Sequence, residues 1–126
     1  MPENALTREA QQWFAQHIHS VEQLEIFLAV SEDKHRAWTA PEIFRKVQSN
    51  ENSILRCLQY FATQGVVIVE SEGRYRIADN AGLLQIASEF ARAYRERYVA
   101  VIELIYKPPT RQIQDFADAF KLRKDK

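Results

Sequence analysis

TAPEIFRKVQSNENSILRCLQYFATQGVVIVESEGRYRIA, residues 39–78 and led by Trp38, decides the fold. Thr39 and Glu42 have the spacing of a capping box, in which each side chain satisfies a backbone N–H of the first helical turn. Pro41 falls in that same turn, where its missing N–H costs nothing. The spacing predicts a short helix over residues 41–47, with Ile43, Phe44 and Val47 apolar. Ser49, Asn50 and Asn52 supply turn and cap chemistry, so a second helix is expected to start at Asn50 or Glu51. Its core residues are Ile54, Leu55, Leu58, Phe61 and Ala62, with Cys57 at the edge of the buried surface. Gly65 stands where a left-handed residue closes a helix. Val66, Val67, Ile68 and Val69 are β-branched, and Arg74, Tyr75, Arg76 and Ile77 alternate polar and apolar. With Gly73 at a turn position that needs positive φ, these two runs read as a hairpin.

Upstream, Leu6, Ala10, Trp13, Phe14 and Ile18 keep the spacing of an amphipathic helix over residues 6–18, capped by Thr7 or Asn4. Ser20 and Gln23 form another capping-box pair. The helix they open carries Val21, Leu24, Phe27, Leu28 and Val30 on one core face and ends near Glu32 or Asp33. Residues 34–38, KHRAW, follow as a loop with His35 exposed. Downstream, Asp79 and Asn80 cap one long helix predicted over residues 81–106, which Pro108 and Pro109 forbid to continue. Leu83, Ala87, Phe90, Tyr94, Tyr98, Val101 and Ile105 make a continuous stripe along it. A second set, Leu84, Ala91, Val99, Ile102 and Leu104, widens the apolar face towards its end. Such a helix needs more to pack against than a small domain offers: the N-terminal helix, or a second copy of the chain. Thr110 caps a last helix with Ile113, Phe116, Ala117 and Phe120 on one side. The expected fold class is mainly α with a small β-hairpin, in a single domain. It divides into an N-terminal helix (1–19), a core (20–78) and a C-terminal helical extension (79–126) suited to dimerisation.

The order within residues 21–77 (helix, Thr-capped helix, helix, glycine followed by apolar residues, hairpin) resembles the winged helix-turn-helix regulators of bacteria. The resemblance implies a winged-helix core, and for function it implies a transcriptional regulator binding double-stranded DNA. The segment Phe116-Ala117-Asp118-Ala119-Phe120 is similar to the end of short uncharacterised bacterial proteins, a likeness that carries no activity.

Composition bounds these expectations. A chain of 126 residues, 46% hydrophobic and 27% charged, is an ordinary one-domain globular chain. One cysteine allows no internal disulfide and suits a reducing compartment. No signal-peptide pattern and no apolar run of about 20 residues is present, so the expected location is cytoplasmic, with no membrane partner. Basic and acidic residues balance at 17 each, whereas nucleic-acid binders usually carry a basic footprint. From Lys107 onward there are six basic and three acidic residues, which leaves 11 and 14 for the rest. The core is therefore mildly acidic and the tail mildly basic.

For DNA, the candidate contacts are the second helix and the hairpin. Asn52, Arg56 and Gln59, followed by Thr63, lie opposite the core face. Asn and Gln can pair bidentately with adenine, and Arg with guanine. Ser49, Asn50 and Ser53 are placed for phosphates, and Arg74 and Arg76 for the backbone or minor groove. Glu51, Glu70 and Glu72 lie close by, so one copy should bind weakly and two copies better. A merely solvated helix face carries the same residues. The alternative is a protein-interaction module, since winged helices also dock proteins. Its adhesive surface, or the dimer interface, is drawn from Tyr94, Tyr98, Val101, Ile102, Ile105, Phe116 and Phe120. For an enzyme there is no nucleophile–base pair, no metal-ligand spacing and no glycine-rich phosphate loop among three glycines. His17 and His19 do not share a helix face. No catalytic residue, metal or cofactor is expected.

Overall fold

The computed structural model describes residues 6–106. Six helices and a hairpin follow one another: α1 (Arg8–His17), α2 (Val21–Ser31), α3 (Ala40–Phe44), α4 (Glu51–Thr63), β1 (Val67–Ser71), β2 (Arg74–Ile77), α5 (Ala81–Glu96) and α6 (Tyr98–Tyr106). Side-chain chemistry sets the helix starts. Thr7, Ser20, Thr39, Asn50 and Asn80 each accept a hydrogen bond from the backbone N–H three residues on. The Thr39–Glu42 box closes in both directions. Its carboxylate is held below the ordinary glutamate range chiefly by the Thr39 backbone N–H, with Arg36 adding attraction. Gln23 also reaches back, but to the N–H of His19 (2.6 Å) rather than that of Ser20.

α4 ends in a Schellman motif. Val66 N–H donates to the Phe61 carbonyl (2.9 Å) and Gly65 N–H to that of Ala62 (3.2 Å), with Gly65 at φ +76°. This reversal sends Val66 and Val67 straight into the core and starts the wing. β1 and β2 pair antiparallel across Glu72-Gly73, with Val67 opposite Ile77, Ile68 opposite Arg76 and Val69 opposite Tyr75. The register then slips, so that Ser71 faces Arg74 and Glu70 becomes the extra residue of a bulge.

The structure corrects several expectations. α2 does not bury a single face: Leu24, Ile26, Phe27, Ala29 and Val30 are all buried, while Val21 and Leu28 are only half-buried. α5, α4, β2 and α3 pack around it, and a helix surrounded in this way must be apolar on most sides. Trp38 is not a loop residue. It exchanges both backbone hydrogen bonds with Tyr75 (2.7 and 2.8 Å), giving β2 a neighbour on its second side. Cys57 lies inside the core rather than at its edge, and Leu55 and Ala62 are half-buried. Phe44 is largely exposed.

The single long helix is two. Arg97 leaves helical geometry (φ −138°, ψ 53°), ending α5 through its N–H and opening α6 through its carbonyl. There is no proline or glycine at this break. A straight continuation would leave the apolar residues beyond Tyr94 uncovered. The elbow instead turns Val101 inward, where it is 2% exposed and shares a small cavity with Leu6, Ala93, Ala100 and Leu104. The expected last helix, with Phe116 and Phe120, lies outside the described residues.

Aromatic contacts tie the layers together. Phe14 stacks on Phe90 (4.6 Å) to join α1 to α5, Trp13 packs on Phe27 (4.6 Å), and Phe27 meets Phe61 edge-on (6.3 Å). One contiguous core runs from Ala10 to Val101. Trp38 is 4% exposed and its indole N–H has no partner among the described residues. An unsatisfied buried donor costs about 1–3 kcal/mol. Burying an indole of roughly 200 Å² returns about 5 kcal/mol at 25 cal/mol/Å². The position is therefore net favourable, and the Arg36 guanidinium 3.9 Å above the ring adds to it.

Gly65→Ala should destabilise the domain by about 1–2 kcal/mol, because the alanine Cβ strains the left-handed backbone at this position. Space is not the obstacle, since nothing lies within 4 Å of an added Cβ. Urea unfolding followed by circular dichroism reads the loss, and an unchanged midpoint would contradict it.

Candidate nucleic-acid interface

α3, the turn at residues 45–50, and α4 form a helix-turn-helix, and the hairpin beyond Gly65 is its wing. Core residues Ile54, Cys57, Leu58 and Phe61 hold one side of α4 down. The opposite side therefore faces outward, and it carries Asn52, Arg56 and Gln59, all exposed. None of these three side chains has a partner among the described residues. They lie at helical spacing along one stripe.

The start of α4 is built differently. Ser49 and Ser53 both donate their hydroxyls to Glu22 of α2, the Ser53 bond measuring 2.9 Å. The Asn50 side-chain oxygen caps the helix by accepting from Ser53 N–H (2.8 Å). These polar groups thus first serve the protein's own framework: Glu22 braces the first turn of α4 against the central helix. A carboxylate there also complements the positive end of the helix dipole. Sequence reasoning missed Glu22, because it stands 27 and 31 residues from its partners.

On the wing the two arginines are not equivalent. Arg74 is exposed and its side chain has no partner among the described residues. Arg76 is half-buried, and its Nε lies 2.8 Å from Glu70 Oε2. Ile68 and Val69 on β1 are 40% and 52% exposed, an apolar pair on the wing edge.

The C-terminal candidates are spread over different environments. Tyr94 is half-buried, and its hydroxyl donates to Glu25 of α2 (2.9 Å). Burial first, then Glu25, pushes the Tyr94 phenol well above its ordinary value, so it stays protonated. Tyr98 is 53% exposed and rests on the Tyr94 ring (5.0 Å). Val101 points into the body, Ile102 and Ile105 are half-buried, and Val99 and Tyr106 are exposed. Phe116 and Phe120 lie outside the described residues.

His17 stacks on Trp13 (4.8 Å), with its Nδ1 2.9 Å from the Trp13 carbonyl. Among the described residues no three His, Cys, Asp or Glu groups sit together as a metal site would require. No described helix is long and apolar enough to cross a membrane.

No protein-family model matches the chain, and no curated protein matches it. Among solved structures the chain is similar to MepR, a transcription regulator of the Staphylococcus aureus multidrug efflux pump MepA. The two are 14% identical over 94% of this chain and 87% of that one, with a TM-score of 0.49. Likeness at that level says nothing by itself about a shared function.

Burial, and secondarily the charge of Glu22, pushes the Cys57 thiol up to about 12. A raised value keeps the thiol neutral at pH 8, and only a thiolate is an efficient nucleophile. Folded protein at pH 8 should therefore resist iodoacetamide and become alkylated only in urea, as mass spectrometry can follow. Rapid alkylation of the folded protein would contradict the burial.

Proposed function

We propose that this protein is a winged-helix regulator that binds double-stranded DNA as a homodimer. The observation that carries this reading is the outward stripe of Asn52, Arg56 and Gln59. All three are free of partners among the described residues, on a helix whose other side is locked into the core. Asn52, Arg56 and Gln59 read base edges in the major groove. Arg74 reaches a phosphate from the wing, with Arg76 beside it. Ser49, Asn50 and Ser53 border the phosphate nearest the first turn of α4, their side chains already fixed by Glu22 and by capping.

Charge then sets the stoichiometry. Each phosphate neutralised contributes about −0.9 to the slope of log K against log salt. Even with Arg56, Arg74 and Arg76 all engaged, one copy reaches a slope of only about −2.7. So few contacts make one copy a weak binder, and a second copy doubles them. The surface for it is the exposed side of the α5–α6 elbow. There Tyr94, Tyr98, Ile102 and Ile105 contribute from the described residues, while Val101 is taken up by the core; the sequence adds Phe116 and Phe120 as further candidates. Residues 1–19, 20–78 and 79–126 then act as support, reader and dimerisation extension.

A second reading, a protein-docking module that binds no DNA, is favoured by one observation. The wing combines exposed Ile68 and Val69 with Glu70 and Glu72, a surface that suits a protein partner better than phosphates.

Arg56→Ala should weaken binding to a selected duplex and relax its base preference by about 1–3 kcal/mol at one position, with an unchanged melting temperature. Unaltered affinity in a mobility-shift titration would remove α4 from the interface. Light scattering should give about twice the chain mass of 14.7 kDa, and Ile102→Asp should halve it. A monomer before substitution would refute the dimer.

A further inference from the structure

The two wing arginines differ because of the bulge. In an unbroken register Glu70 would stand opposite Arg74. The slip between Val69 and Ser71 puts Ser71 there instead, and Glu70 pairs with Arg76 (2.8 Å). Arg74 is left exposed without a partner among the described residues. Arg76 itself is anchored from below: its neighbours Tyr75 and Ile77 are buried, and it lies opposite Ile68. The Arg76 side chain, 25% exposed, points away from the core, lines a cavity with Lys34, His35 and Asp79, and is already engaged by the protein's own carboxylate.

We propose that Glu70 is a built-in competitor for DNA phosphate at Arg76, so that the wing offers one phosphate contact, Arg74, where its sequence holds two arginines. The inference rests on the DNA reading above and names a control within that same site. Glu70 acts in two ways. It holds the Arg76 Nε–H and offsets the guanidinium charge that would otherwise draw a phosphate oxygen, and it places a negative charge where the DNA backbone would approach. With Glu70 exposed and Arg76 only half-buried, the pair is solvent-screened and weak enough to be exchanged rather than permanent. It is therefore a latch rather than a structural brace. Its effect is to keep a single copy from holding non-specific DNA tightly, which leaves discrimination to α4.

The test is a double-mutant cycle on DNA affinity with Glu70→Gln, Arg76→Ala and the combination, measured by fluorescence anisotropy on one duplex across a salt series. Both positions lie outside the core, so circular dichroism should show all forms folded. Glu70→Gln should tighten binding about fivefold, the scale of a released surface pair. It should also steepen the salt slope by about 0.9 per wing, the signature of one new phosphate contact. Arg76→Ala alone should change little, and in the combined variant the gain should vanish. A gain that persists without Arg76 overturns the latch in favour of simple charge removal, and no gain at all overturns it outright. Should neither the unsubstituted chain nor Glu70→Gln shift any duplex at low salt, the DNA reading itself fails, and the latch with it.

Discussion

Everything in this domain depends on the burial of α2. Its side chains Leu24, Ile26, Phe27 and Val30 are fully enclosed, with α4, α3, α5 and β2 packed around them. A large apolar side chain is worth about 1.5–3 kcal/mol when fully buried. A domain's net stability is only about 5–15 kcal/mol, so a few such residues match the whole margin. Phe27 concentrates the effect, because it meets Trp13 of α1 and Phe61 of α4 at once. α3, α4, β2 of the wing and α5 are each positioned by contact with this one element.

The polar residues of α2 extend the same role outward. Glu22 accepts both serine hydroxyls at the start of α4, and Glu25 accepts the Tyr94 hydroxyl of α5. One turn of helix thus braces the front of α4 and the back of α5. Such bonds contribute about 0.5–1.5 kcal/mol each, more with a charged acceptor. Their larger effect is to fix orientation. Exposed pairs such as Lys46–Glu32 contribute less to stability and more to where charge is displayed.

What the sequence made legible is what local chemistry decides. Thr39, Asn50 and Asn80 announce helix starts, Gly65 a helix end and Gly73 a turn, because each satisfies a backbone requirement within a few residues. The outward face of α4 followed from periodicity alone. What escaped was set by partners distant in the chain. The all-round burial of α2 depends on four neighbours, and the Trp38 rung depends on Tyr75. The elbow at Arg97 carries no proline or glycine to mark it. In the candidate site, the stripe Asn52–Arg56–Gln59 was readable. The engagement of Ser49 and Ser53 by Glu22, and of Arg76 by Glu70, was not. Both depend on side-chain placement across elements, and the second on a one-residue slip of register.

The rung between Trp38 and Tyr75 also has a topological consequence. It closes a loop: the chain leaves the sheet at Trp38, runs through α3, α4 and β1, and turns back in β2 so that Tyr75 bonds where it left. The helix-turn-helix is thereby stitched at both ends to one strand. A chain cut once in the turn between α3 and α4 would leave two fragments that each hold part of the seam. Such fragments are suited to find each other again, and the helix-turn-helix is in effect a cassette clipped at its base.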